Sequence, residues 1–167
     1  MTQKELNEFS KKLEGKTLEE LRKEEQDFIK VMDENDKKLS ETKFKVPEDN
    51  FGIVSGFIAE LLEKQEVQWQ FATALVAITD FWKAKEKPAE IPFATLDSTM
   101  RILGEMKYKG YKEWTAIVAI NKYMEPLSKE YVQATSQPFD DATKHDAIVK
   151  AIQAKEAMET PIGEAEQ

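Results

Sequence analysis

The chain has 167 residues, of which 41% are hydrophobic and 34% are charged, and this composition is typical of a folded domain rather than a disordered chain. Its 24 basic and 32 acidic residues give a net charge of -8, which argues against general binding to nucleic acid or anionic lipid because phosphate contacts need a concentrated positive surface. The sequence contains no cysteine, so disulfides, thiolate nucleophiles, iron-sulfur clusters and cysteine zinc sites are excluded.

Two capping boxes begin the chain. Thr2 with Glu5, and Thr17 with Glu20, have the spacing in which a hydroxyl and a carboxylate satisfy backbone amides at a helix start. We therefore predict a short first helix and a second helix over about residues 18–41. The N-terminal residues are charged and amphipathic and lack the apolar core of a signal peptide, so we expect a cytoplasmic protein.

The second predicted helix carries a thin apolar stripe. Five apolar residues follow heptad spacing: Leu18, Leu21, Phe28, Met32 and Leu39. Glu25 and Asn35 occupy the remaining positions of the stripe. Two interpretations stay open: residues 1–41 cover their own core as amphipathic helices, or they form a coiled-coil-like arm that contacts a second chain through Phe28 and Met32.

Residues 51–85 contain no proline and are rich in Phe and Trp. Charged residues divide this segment and leave only Val67 to Thr79 free of charge, which is too short for a membrane span. On a helical wheel, residues 67–82 are apolar in almost every direction except a strip that includes Thr73 and Asp80. A helix that is apolar over most of its circumference must be surrounded, so residues 67–82 are predicted to form the buried central helix.

The glycines in the sequence GIVSG predict that another helix packs closely against one face of this region. Gly52 and Gly56 are four residues apart and are followed by Ala59, so another helix could pack closely against them. The pattern is compatible with tight packing within the chain or a flexible helix entry, or with a partner that docks there.

The C-terminal half is predicted to contain several shorter helices. Thr95 caps a helix over about residues 96–108 that ends or kinks at Gly110, and another helix follows over residues 111–125. Pro126 suits the first turn of a further short helix, and a turn at SQPFDD precedes the last one. No segment alternates with period two over enough residues to predict a strand.

Together these patterns predict an all-α fold, a single-domain helical bundle of five to seven helices around the central helix at about residues 67–82. Residues 42–50 are a predicted linker because Pro47 favours extended backbone before it. Residues 51–159 form the predicted helical core, with the helices of residues 1–41 packed across it or projecting. Residues 160–167 are predicted to fray.

No catalytic or metal-binding pattern is present in the sequence. His145 is the single histidine and Asp141 lies one turn before it, but no third ligand is near in sequence and residue 142 is alanine rather than glutamate. The sequence also lacks four common functional motifs: the Gly-x-Ser-x-Gly turn, the Walker loop, Gly-x-Gly-x-x-Gly and the EF-hand loop. We therefore expect no metal, no cofactor and no enzymatic activity.

A basic and aromatic segment is the sharpest candidate site. Residues 100–124 carry five basic and two acidic side chains in an otherwise acidic chain. The candidate partner-binding residues in this segment are Lys107, Tyr108, Lys109, Tyr111 and Lys112. Lysines among aromatics can dock an acidic protein surface or hold nucleic acid. They can also be solvated lysines around an aromatic core.

The function expected from these observations is that of a non-catalytic helical interaction, adaptor or assembly protein that acts through protein–protein contacts, with a partner or by self-association. One alternative is a nucleic-acid-associated regulator that uses residues 101–122. Another is a small-ligand binder or enzyme with a pocket near Trp69, Phe71 and Trp82. No membrane association is expected.

Overall fold

A computed structural model describes residues 1–66 and 71–159 of the chain. Six helices and two short strands are found in these residues. In chain order they are α1 (Gln3–Glu14), α2 (Leu18–Glu41), β1 (Lys43–Lys45), α3 (Phe51–Glu63), α4 (Ala72–Trp82), β2 (Glu90–Pro92), α5 (Phe93–Glu105) and α6 (Gly110–Glu159). The all-α fold predicted from the sequence is confirmed, and the number of helices falls within the predicted five to seven.

The chain divides into two compact units. Unit 1 contains residues 1–38 together with the described residues from Ala134 onward, and unit 2 contains residues 39–133. This division differs from the predicted one, in which residues 51–159 form one core and residues 1–41 cover it or project. The physical reason is that the C-terminal residues supply apolar side chains that pack with the N-terminal helices.

Unit 1 has a small apolar core of its own. Four buried residues form its centre: Leu13, Leu21, Ile148 and Ile152. Phe9 and Phe28 pack against this cluster, with ring centroids 6.2 Å apart in an edge-to-face arrangement. The apolar stripe of α2 is therefore used within unit 1, which favours packing over projection for this helix.

Both predicted capping boxes are confirmed. The Thr2 hydroxyl accepts from the Glu5 amide at 3.3 Å, and the Glu5 carboxylate accepts from the Thr2 amide at 2.7 Å. Thr17 and Glu20 repeat this exchange at 3.2 and 2.8 Å. The first turns of α1 and α2 are thus fixed by local sequence alone.

Two strands in unit 2 are a correction to the sequence analysis, which predicted none and assigned residues 42–50 to a linker. β1 and β2 pair antiparallel with Phe44 opposite Ile91, and both of these side chains are buried. Each strand has only three residues, so it presents a single inward residue. Such a strand is too short to show an alternating pattern in the sequence.

The predicted buried central helix is wrong over residues 71–82, the part of it that the structure describes. Helix α4 begins at Ala72 and buries only Ile78, Thr79 and Trp82, while Val76 is 58% exposed. Residues 67–70 lie outside the described part of the chain. The exposed turns of α4 are built largely of alanine and threonine, which gain little from burial. Only one side of this helix is therefore packed.

Helix α3 is buried more fully than α4. Seven of its thirteen residues are buried. Its glycines, however, do not support a close helix contact within the chain, because a Cβ at Gly52 or Gly56 would meet nothing within 4 Å. The predicted tight intrachain packing at this pair is wrong, and Ile53 beside them is 61% exposed.

Helix α6 is one continuous helix of 50 residues, where the sequence analysis predicted three shorter ones and a turn at SQPFDD. Pro126 and Pro138 both lie inside it. Proline has a backbone angle that suits a helix but forfeits one hydrogen bond, and α6 continues through both prolines. Gly110 starts α6 with a φ of 77°, and α5 starts at Phe93 after Pro92 rather than at the predicted cap, Thr95. Among the described residues, no helix is long and apolar enough to cross a membrane.

Candidate functional site

An open groove lies between α5 and α6 in unit 2, with a volume of about 310 Å³ and a lining of both apolar and polar atoms. One side is lined by Met100, Leu103, Gly104 and Tyr108, and the other by Ile117, Ile120, Asn121, Met124 and Ser128. We call it the α5–α6 groove.

Helical spacing explains why these residues line one groove. Met100, Leu103 and Gly104 are three and four positions apart along α5, so they share a face of that helix. Ile117 and Met124 are seven apart on α6 and share a face in the same way. Within the groove, Leu103 and Met124 are buried and form the floor, whereas Met100 and Ile117 are half-buried and form its sides.

Gly104 leaves open space in the side of the groove. A Cβ built at this position would meet no atom within 4 Å, and the residue is exposed. An added Cβ at position 104 therefore displaces no neighbour, and a larger side chain would extend into the groove. Such a side chain would reduce the volume of the groove.

Two aromatic residues lie at one end of the groove. The Tyr108 hydroxyl donates a hydrogen bond to the carbonyl of Leu103, and burial raises the pKa of Tyr108. The indole N–H of Trp114 donates to the Tyr108 carbonyl at 3.4 Å, which places Trp114 beside Tyr108. Trp114 is nevertheless 55% exposed, so much of its indole surface remains in water.

An exposed apolar ridge continues from Trp114 along α6. Tyr111 is 82% exposed and Val118 is 66% exposed, and with Trp114 they follow i, i+3, i+7 spacing on one face of the helix. The buried residues Ala116 and Ile120 lie on the opposite face. The core of unit 2 therefore makes little use of these three large side chains.

The lysines of the candidate segment divide into two groups. Lys112 is bound to Glu60 of α3 at 3.1 Å, and this contact lowers the pKa of the Glu60 carboxyl. Lys107 and Lys109 are exposed and form no side-chain ion pair with any residue that the structure describes. Positive charge is thus available next to Tyr108 and is neutralised at Lys112.

A short ion-pair chain links α3 to the first turn of α6. Lys64 lies 3.4 Å from Glu60 and 3.3 Å from Glu113. The Lys109 backbone amide also donates to Glu113 at 2.7 Å, and this hydrogen bond, with that from Lys64, lowers the pKa of Glu113. The charges of Lys64 and Lys112 balance those of Glu60 and Glu113, so this cluster as a whole has no net charge.

The structure brings together only some of the predicted site residues. Tyr108 lines the α5–α6 groove, Lys107 and Lys109 flank it in the chain, and Tyr111 lies on the exposed ridge. Phe28 and Met32 belong to unit 1 and are half-buried there, so they contribute nothing to this groove.

The sequence analysis did not identify the groove itself. The sequence nevertheless contains an indication of the groove. Two consecutive helices joined by a short connection each have an apolar face, one at Met100 and Leu103 and the other at Ile117 and Met124. Gly104 interrupts the first of these faces. A glycine within an apolar face can indicate a gap in the packing, but the gap remains open only if no neighbouring side chain fills it.

The residues predicted to line a pocket differ in their surroundings. The Trp82 side chain is buried, its indole N–H donates to the Thr99 hydroxyl at 3.0 Å, and its ring stacks on Phe51 with centroids 6.1 Å apart. Phe71 is 55% exposed, and Trp69 lies outside the described residues. Trp82 therefore functions as a core residue of unit 2.

Unit 1 contains a buried carboxylate, Asp141. It accepts hydrogen bonds from the Gln137 amide at 2.9 Å and the Asn35 amide at 3.0 Å, and Lys144 lies 3.5 Å away. Burial acts to raise the pKa of Asp141, but these hydrogen bonds and Lys144 hold it below its ordinary value. In the described part of the chain, the buried His145 Nε2 has no hydrogen-bond partner, and no group of three or more side chains could hold a metal.

No protein-family model, curated protein or solved structure matches this chain. Its function must therefore be inferred from the geometry and chemistry of its own residues.

Proposed function

We propose that this chain is a non-catalytic interaction module or assembly component of the cytoplasm that binds another protein through the α5–α6 groove. The observation that carries the proposal is an open groove with an apolar floor, bordered by the exposed Trp114. Exposed apolar surface of this kind is typical of protein-binding sites.

The residue types of the groove support a protein ligand. Aromatic residues and methionine are enriched at protein interfaces, and Met100, Met124, Tyr108 and Trp114 supply both kinds. Methionine side chains are flexible and adapt to different partner shapes. An aromatic such as Trp114 is the type of residue that dominates binding energy when it becomes fully buried.

The exposed ridge provides additional apolar surface. Covering one large apolar side chain contributes about 1.5–3 kcal/mol, and Tyr111, Trp114 and Val118 are each more than half exposed. Part of this gain is offset by the entropy lost on association. A protein partner that covers the ridge as well as the groove gains this energy at each of the three side chains.

Gly104 allows a direct test with a matched pair of variants. Gly104→Phe places a large side chain in the groove, whereas Gly104→Ala adds only a Cβ in open space. Proteins captured from cell lysate by the wild-type chain would be quantified by mass spectrometry against both variants. We expect at least one protein that wild type and Gly104→Ala retain and Gly104→Phe loses.

Circular dichroism would verify that both variants keep the wild-type helix content. Capture of the same proteins in equal amounts by folded Gly104→Phe would contradict the proposal, because the groove would then be unnecessary for binding.

A further inference from the structure

The start of α4 is an apolar surface that the described residues of unit 2 leave uncovered. Residues 71–77, with the sequence FATALVA, contain no ionisable side chain, and all of them except Leu75 are exposed. Phe71 is 55% exposed and Val76 is 58% exposed. The first charged residue along α4 is Asp80, which lies beyond this segment. We call residues 71–77 the α4 start.

A second open groove is present in unit 2, with a volume of about 510 Å³. Its lining comes from the beginning of α3, the residues just before it, and the first half of α6. Six residues supply most of its apolar surface: Pro47, Ile53, Val54, Ala119, Tyr123 and Pro126. Val54 and Tyr123 are buried and form the floor, whereas Ile53 is 61% exposed. We call it the α3–α6 groove, and its described lining residues differ from those of the α5–α6 groove.

We infer that the α3–α6 groove receives the α4 start of a second copy of this chain, and that two copies exchange these contacts in a symmetric dimer. An exposed apolar helix end and an open groove with an apolar floor are found on the same chain, so a second copy covers both. In a twofold arrangement each copy contributes one helix end and one groove. Because these surfaces are separate from the α5–α6 groove, the inference goes beyond the proposed function.

The α4 start and the α3–α6 groove match in length. The α6 side of the groove extends from Ala119 to Pro126, which is about 10 Å at the rise of an α-helix. The seven residues of the α4 start cover about the same distance. The Tyr123 hydroxyl already donates to the Pro47 carbonyl at 3.0 Å, so the floor presents an aromatic ring to the incoming side chains rather than a free hydroxyl.

The two surfaces also match in charge. One acidic residue, Asp49, and one basic residue, Lys122, line the groove, so it has no net charge although the whole chain carries -8. The α4 start is uncharged as well, so two acidic chains can meet here without placing like charges against each other. Phe71, the N-cap residue of α4, has no side-chain group that can accept from the first-turn amides. The Asp49 carboxylate of the second copy can accept from these amides.

Sedimentation velocity of the full chain at increasing concentration would test the inference. Each contact involves only about two helical turns, so we expect monomer in dilute samples and dimer in concentrated ones. Thr73→Glu places a charge on the exposed α4 start, and Ala119→Lys places one in the groove. Each should weaken dimerisation at least about tenfold, because an unpaired charge would be buried in the contact. Val118→Lys, at the neighbouring exposed position outside the groove lining, is the matched control and should leave dimerisation unchanged.

A mixture of the two variants tests the exchange between copies directly. Thr73→Glu keeps an intact groove and Ala119→Lys keeps an intact α4 start, so one copy of each retains one unmodified contact. Their other contact brings two introduced charges of opposite sign together. We therefore expect the equimolar mixture to form dimers at concentrations at which each variant alone is monomeric.

Circular dichroism would verify that the variants keep the wild-type helix content. If either loses helix, Ala77→Glu and Ile53→Lys replace them, since both positions are exposed on the same two surfaces.

Four results would overturn the inference. The first is a wild-type chain that remains monomeric up to about 1 mM. The second is a dimer that persists in both folded variants, because its interface would then lie elsewhere. The third is a mixture that stays monomeric, because the two surfaces would then not bind each other. The fourth is a dimer that Gly104→Phe abolishes, because the second copy would then occupy the α5–α6 groove. The first three results leave the proposed function intact.

Discussion

Unit 1 and unit 2 bury polar groups in different ways. In unit 1 the buried carboxylate of Asp141 accepts from Asn35 on α2 and so links two helices. In unit 2 the buried hydroxyls of Thr79 and Thr99 donate to carbonyls four residues earlier in their own helices, at 2.8 and 2.7 Å. Unit 1 therefore has a titratable buried link between helices, whereas the buried link between α4 and α5 in unit 2, from the Trp82 indole N–H to the Thr99 hydroxyl, carries no charge.

The comparison also shows where each unit has apolar surface to spare. In unit 1 the apolar stripe of α2 packs on the small cluster around Leu21. In unit 2 the apolar core is larger, yet Tyr111, Trp114 and Val118 remain exposed. Unit 1 also leaves large apolar side chains exposed, since Phe139 is 72% and Met158 is 84% exposed.

The largest expected effect is from loss of packing in unit 2. Ile58 is fully buried in α3, so Ile58→Ala should lower the free energy of unfolding by about 2–5 kcal/mol. All three tryptophans of the chain fall within the sequence range of unit 2, so tryptophan fluorescence in urea reports on this unit.

Val76→Ala is the matched control, because Val76 is 58% exposed. It should change the free energy of unfolding by less than about 0.5 kcal/mol. If both variants had the same urea midpoint, the assignment of α3 to the core and of α4 to the surface would be wrong.

A smaller effect is expected from the buried carboxylate of unit 1. Asp141→Ala leaves the Asn35 and Gln137 amides without their acceptor and should cost about 1–3 kcal/mol at neutral pH. Because the pKa of Asp141 is lowered in the folded chain, its stabilising contribution is present at neutral pH. That contribution is lost as the pH falls through the folded pKa.

Hydrogen exchange at the Leu21 and Ile148 amides would monitor unit 1 during acidification. Protection in the wild type should fall more steeply with acid than in Asp141→Asn, which keeps the shape of the side chain without its charge. Identical pH profiles for the two chains would show that Asp141 is not the titratable link in unit 1.

The smallest expected effect is a gain in stability at Gly104. Gly104→Ala should raise the free energy of unfolding by about 0.5–1 kcal/mol, because glycine loses more backbone entropy than alanine in a helix. The added Cβ meets nothing within 4 Å, so no clash opposes this gain. A lower urea midpoint for Gly104→Ala would mean that the groove is closed at this position.

Local features of the fold were predictable from the sequence. The hydroxyl and carboxylate pairs at Thr2 and Thr17 determine two helix starts, because all the groups of a capping box lie within one turn. The all-α class followed from helical periodicity along most of the chain. These signals need only neighbouring residues.

Features that depend on distant residues were not predictable. Residues 67–82 have the apolar pattern of a surrounded helix, but no sequence pattern states how many neighbours are present to surround it. Pro126 and Pro138 are compatible with a helix start or with a helix interior, and packing along α6 decides between them. The candidate site was predicted only at Tyr108 and its lysines, since the rest of the groove requires α5 and α6 to lie side by side.

The prolines of α6 give this helix an unusual vibrational signature. Pro126 and Pro138 have no amide proton, so the carbonyls of Lys122 and Ala134 cannot receive the regular bond from the residue four positions on. Carbon-13 labels at these two carbonyls should therefore produce amide I bands at higher frequency than labels elsewhere in α6. The two labelled carbonyls, which are 12 residues apart in the sequence, would then report how well water hydrates the helix backbone at those two points.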